Sequence, residues 1–104
     1  GCSAMTAKLA AAARTRALKS LDGWTLAADG LSIAKTFRFK DFVAAFGFMA
    51  SAALIAQQMD HHPEWFNVYD RVEVRLTTHD AGGLTHKDIA LARAMDARAA
   101  GASR

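Results

Sequence analysis

The chain has 104 residues and a mass of 11.2 kDa, which is enough for one domain and too little for two independent cores. Hydrophobic residues make up 52% and charged residues 22%, a balance that excludes intrinsic disorder for the bulk of the chain. The net charge of +3 comes from basic residues scattered from Lys8, Arg14, Arg16 and Lys19 to Arg38, Lys40 and Arg71, without the clustered stripe of a nucleic-acid-binding face.

Alanine supplies 24 of the hydrophobic residues, so the larger core-formers are few and self-association is the natural way to bury more surface. Residues 1–4, ahead of Met5, read as a cloning remnant within a single domain spanning 1–104. The only cysteine is Cys2, so no internal disulfide can form. Nothing resembles a secretory signal, and a reducing cytoplasm is the expected setting.

Taken in chain order, residues 6–21 are alanine-rich with Leu9, Ala13, Ala17 and Leu21 near one side, which predicts a helix capped by Thr6. Asp22-Gly23 ends it, residues 24–27 form a short strand, and Asp29-Gly30 is a hairpin turn signal. In residues 31–40, Leu31, Ile33, Phe37 and Phe39 alternate with Ser32, Thr36, Arg38 and Lys40, the period of two that a half-buried strand needs. Lys35 breaks the apolar side, which predicts an edge or a bulge.

Between Asp41 and Asp60 lie 18 residues without a charge, the strongest helical segment of the chain. A membrane span needs roughly 20 mainly apolar residues, and Gly47, Ser51, Gln57, Gln58 and six alanines argue against insertion here. Phe42, Phe46, Met49 and Ala53 form one stripe and Phe48, Ala52 and Ile55 another, so one face can cover a sheet while the other wants a partner. Residues 65–69 and 72–79 then read as two strands joined through Asp70-Arg71, with Val72, Val74 and Leu76 on the core side. Gly82-Gly83 turns the chain, and Thr85-His86-Lys87-Asp88 has capping-box spacing ahead of a last helix carrying Ile89, Leu91 and Met95. The order helix, two strands, helix, two strands, helix predicts an α+β fold, a four-stranded antiparallel sheet with three helices on one face.

Chemistry concentrates where elements end. His61 and His62 follow the long helix and His79 closes the last strand, and imidazole donates and accepts protons near neutrality. Pro63 disfavours the helical conformation for His62 and holds the pair in an extended turn where the two side chains diverge. Asp60 is unusual, because a carboxylate near a helix C-terminus meets the negative end of the dipole. Adjacent histidines chelate poorly and no cysteine lies nearby, so a metal site is not expected. The sequence has no glycine-rich phosphate loop and no nucleophile-turn serine, which leaves proton transfer in a histidine-lined cleft.

The run Asp60-His61-His62-Pro63-Glu64-Trp65-Phe66-Asn67-Val68-Tyr69, then Leu76-Thr77-Thr78-His79-Asp80, then Gly83-Leu84-Thr85 with Asp88, closely resembles the pterin-4a-carbinolamine dehydratase family. The resemblance extends over Phe37-Arg38-Phe39-Lys40-Asp41-Phe42 and Ala45-Phe46-Gly47-Phe48-Met49, most of residues 24–95. It implies dehydration of 4a-hydroxytetrahydrobiopterin to quinonoid dihydrobiopterin, recycling tetrahydrobiopterin, with neither metal nor organic cofactor. It further implies acid catalysis by His61 and His79, pterin holding by His62, and a pocket lined by Asp60, Pro63, Trp65, Thr77 and Thr78, with Asp88 near the mouth. One departure from the family is Gln57, where members often carry a glutamate four residues ahead of the first histidine. The resemblance also implies a homodimer or homotetramer through the helix Phe42–Met59, in the cytoplasm. Some members double as a dimerisation partner of a homeodomain transcription factor through the apolar long helix, a role that Phe48, Ala52 and Ile55 would serve here as well as they would a self-interface. The alternative reading is therefore a non-catalytic pterin-binding or coactivator module, with access to the nucleus and no direct nucleic-acid or membrane contact.

Overall fold

The computed structural model describes residues 7–102. Three helices, α1 Ala11–Lys19, α2 Phe42–Met59 and α3 His86–Ala102, accompany four strands, β1 Thr25–Leu26, β2 Ile33–Arg38, β3 Glu64–Val68 and β4 Arg71–Leu76. The strands pair antiparallel in the order β1-β2-β4-β3. The expected cap Thr6 lies outside the described residues, and α1 begins five residues later, at Ala11.

The β1–β2 hairpin closes where Asp29-Gly30 predicted. Ala27 N–H donates to Ser32 O, Gly30 N–H donates to Ala27 O, and Gly30 takes φ +74°. A side chain at Gly30 would also strike the Arg14 guanidinium, 2.9 Å from the position of a Cβ. In β2 and β4 the period of two sends Ile33, Phe37, Val72, Val74 and Leu76 inward and Ala34, Thr36, Arg38, Glu73 and Arg75 outward.

Lys35 overturns one expectation. It lies neither on an edge nor at a bulge, because β2 is central and pairs with β4 without interruption from Ile33↔Leu76 to Arg38↔Arg71. An ammonium on the inner face must be offset by partners. Lys35 Nζ donates to Asp96 at 2.8 Å and to Asp22 O at 2.9 Å, and stands 4.9 Å from the Phe37 ring. Its stem packs while its head reaches the rim.

Asp41 caps α2 by accepting from Ala44 N–H at 2.8 Å. The buried residues Ala45, Phe48, Ala52 and Ala56 form one stripe, and Phe48 seats against Phe37 and Phe39 at ring separations of 4.8 and 5.1 Å. The small alanines let α2 approach α3 and β4 closely. Phe48 and Ala52 therefore face the core rather than a partner. The outward stripe is Val43, Phe46 and Leu54, with Phe42 beside it. By length and mean hydropathy, 1.5 over 18 residues, α2 would suffice to cross a membrane, yet its inner stripe is a core face. Helix α3 runs on through Ala102.

Candidate functional site

The corner after α2 decides where two adjacent histidines go. Asp60 adopts the left-handed conformation, φ 51°, ψ 43°. Its N–H donates to Ala56 and Gln57 carbonyls, and His61 N–H donates to Ala56 O at 3.0 Å. This is a Schellman cap with aspartate where glycine is usual, and Pro63 follows because the helix cannot continue. The cap accounts for an acid at the negative end of the helix: Asp tolerates this backbone better than most residues. Looping back to Ala56 drives the His61 side chain inward, to 1% exposure, while His62 points to solvent and its Nε2 lies 2.8 Å from Gln57 Oε1. The departure at Gln57 thus faces His62, not His61.

Beneath His61 lies Asp88, in the first turn of α3 and 0% exposed. His61 Nε2 is 2.6 Å from Asp88 Oδ1, and Asp88 Oδ2 accepts from Thr78 Oγ1 at 2.7 Å and from Thr85 N–H at 3.0 Å. Thr78 and Thr85 are both fully buried, with hydroxyls 2.8 Å apart. The capping-box spacing is real, since Asp88 reaches back to the Thr85 amide. Asp88 is therefore under His61 rather than at a mouth, because its carboxylate satisfies donors from three segments at once.

His79 does not continue β4. Thr78 leaves the strand to pair with Gly83, and His79 opens a 3₁₀ turn, His79–Ala81, closed by Gly82 at φ +72°. The turn holds His79 out at 80% exposure, with Nε2 3.4 Å from Glu64 Oε2. Arg75 Nη1 donates to the other oxygen of Glu64 at 3.2 Å, and Arg75 Nε to Ser32 Oγ. Thr77, half-buried, donates to Leu31 O at 2.6 Å.

These links join His61, Thr78 and Asp88 to one another and bring His79 to the strand that follows His62. His61 and Thr78 share Asp88, and His79 meets Glu64, two residues beyond His62. A hollow of about 710 Å³ opens on the outer face of the sheet, between Thr25, Ala34, Thr36, Glu73 and Phe66; Glu64 and Trp65 border it, but the three histidines do not. Glu64 and Thr85 were not expected as site residues. Glu64 sits opposite Arg75 in the β3–β4 register, and Thr85 was visible as a cap, but neither signal pointed to a histidine. Among the described residues no group of three His, Cys, Asp or Glu could hold a metal ion. The arrangement presents two solvent-facing imidazoles and one on a buried carboxylate, a set suited to exchanging protons near neutral pH.

The family described as "Pterin 4 alpha carbinolamine dehydratase" matches residues 7–98. A protein of Rhizobium rhizogenes named "Putative pterin-4-alpha-carbinolamine dehydratase" is 60% identical over 89% of this chain and 92% of its own. One of the same name from Rhodopseudomonas palustris is 64% identical over 84% of this chain and 86% of its own. The crystal structure of a transcriptional coactivator/pterin dehydratase from Brucella melitensis superposes with a TM-score of 0.86 at 51% identity, over 88% of this chain and 98% of that one.

Proposed function

The chain belongs to the pterin-4a-carbinolamine dehydratase family, and on that premise we propose that it removes water from 4a-hydroxytetrahydrobiopterin, giving quinonoid dihydrobiopterin and so recycling tetrahydrobiopterin in the cytoplasm. The observation that carries this reading is the gathering of His61, His62 and His79 around the 60–64 corner, each beside a different partner: Asp88, Gln57 and Glu64.

The chemistry needs two proton transfers. As the C4a–O bond breaks, its electron pair goes to oxygen, and a proton from an imidazolium lets the hydroxyl leave as water. The neighbouring ring nitrogen then gives up its proton, and its electron pair forms the new C–N double bond. General-acid assistance to such a leaving group contributes typically 10²–10⁴-fold. His79, 80% exposed, is the donor that can follow a hydroxyl presented from solvent. His61 exchanges protons from below. His62 holds the pterin, with Asp60, Pro63, Trp65, Thr77 and Thr78 around it and Asp88 acting from behind His61.

The test is a coupled assay on carbinolamine generated by an aromatic amino acid hydroxylase. Purified protein should accelerate dehydration, and His79→Ala should lower kcat by about 10²–10⁴-fold with no change in melting temperature, since the side chain is exposed. No acceleration at any pH rejects the activity.

The outward stripe of α2 favours a second feature of the same reading, a homodimer or homotetramer formed through Phe42–Met59. Val43 is 78% and Leu54 69% exposed, apolar surface that a second copy would cover. Sedimentation should show an oligomer that Leu54→Glu converts to monomer. A monomeric wild type removes this reading, and an α2 face that instead binds an unrelated helical partner favours the coactivator alternative.

A further inference from the structure

The hydrogen bonds that converge on Asp88 Oδ2 take their order from one that admits no choice. The Thr85 backbone N–H can only donate, so Asp88 Oδ2 accepts at 3.0 Å. The same oxygen accepts from the Thr78 hydroxyl at 2.7 Å. With its one proton so used, Thr78 Oγ1 can only accept from Thr85 Oγ1 at 2.8 Å. Thr85 Oγ1 in turn accepts from Lys87 N–H at 3.3 Å. Both fixed donors reach Asp88 through Oδ2, which leaves Oδ1 to meet His61 Nε2 at 2.6 Å.

We propose that Asp88, oriented by Thr78 and Thr85, is a positioning residue that fixes His61 in the tautomer carrying hydrogen on Nε2, and so sets where that ring holds its proton. The inference rests on the dehydratase reading for its substrate but not for the tautomer itself. Its logic is that of a carboxylate orienting a catalytic imidazole: ring angle and proton location are both set before substrate arrives, and loss of the correct tautomer is costly even when geometry survives. Burial makes the selection strict. Asp88, Thr78 and Thr85 have essentially no exposed surface, so water does not offer His61 Nε2 an alternative partner on that side.

Nitrogen-15 NMR of histidine-labelled protein tests this directly, because the two ring nitrogens of a neutral imidazole resonate far apart. Wild type should show His61 with hydrogen on Nε2. In Asp88→Asn the carboxamide oxygen stays with the two Oδ2 donors and its NH₂ faces His61, so the proton should move to Nδ1. Turnover should then fall by about 10²–10⁴-fold with KM little changed. Thr78→Val should weaken the preference for Nε2–H, and Thr78→Ser should restore it. Hydrogen on Nδ1 in wild type overturns the proposal, as does an unchanged tautomer in a folded Asp88→Asn; the wild-type spectrum decides even if that variant fails to fold. A tautomer that inverts as described in a protein without turnover supports the positioning role while rejecting the dehydratase activity.

Discussion

Helix α3 carries two aspartates eight residues apart, and they do different work. Asp88, in the first turn, is fully buried and gathers Thr78, Thr85 and His61. Asp96, two turns on, is partly exposed and gathers Trp24 Nε1, 3.0 and 3.1 Å from its two oxygens, and Lys35 Nζ. Both fasten α3 to segments remote in sequence. The difference is what they hold: Asp96 neutralises a lysine and anchors an indole at the rim of the core, a task of stability, whereas Asp88 holds an imidazole whose ring can exchange protons. A buried, fully satisfied polar cluster beside a reactive side chain is thus distinguished from a structural one by what its last member can do, not by the strength of its bonds.

That contrast can be broken experimentally. The largest effect is expected from His61→Ala, which removes the proton-exchanging ring and leaves a buried carboxylate short of one donor. Turnover should drop at least about 100-fold, and urea denaturation should show a loss of about 3 kcal/mol at unchanged m-value. Wild-type turnover in that variant would make both aspartates merely structural. Asp96→Ala should cost about 1–2 kcal/mol, because Trp24 N–H and the Lys35 ammonium lose a partner at a site water can reach, while kcat stays within about twofold of wild type on the scale of a general-acid contribution. A large fall in kcat would mean the two ends of α3 are coupled. Lys35→Met keeps the packed stem and removes only the charge; for a partly exposed pair the cost should be under about 1 kcal/mol, measured as a small shift in the urea midpoint that shrinks further at high salt.

Much of the framework was legible in residues alone, for reasons visible at particular positions. Val72, Val74 and Leu76 alternate with Glu73 and Arg75, Asp41 caps a chargeless run, and Asp29-Gly30 and Gly82-Gly83 turn the chain, all local signals read within a few residues. The site was legible as residue types at element ends, and family resemblance joined them. The orientation of the residues was not legible. Nothing in His61-His62 says which ring turns inward until the Schellman cap at Asp60 is seen. Lys35 looked like a break in the strand because its offsetting partner lies 61 residues away. The stripes of α2 are both apolar, so hydrophobicity could not assign one to the core; Phe48 went inward because Phe37 and Phe39 provide the aromatic floor it fills.

The sequence by itself therefore determined the order of elements, the α+β class and the set of candidate histidines, because periodicity, caps and turns are properties of neighbouring residues. Only the tertiary structure decided that His61 lies buried on Asp88 while His62 and His79 face outward. That choice depends on hydrogen bonds spanning 27 residues from His61 to Asp88, and on a carboxylate that can satisfy Thr78, Thr85 and His61 only once α3 has packed beneath the corner. Bonds of that range are made by packing, and local spacing carries no record of their direction.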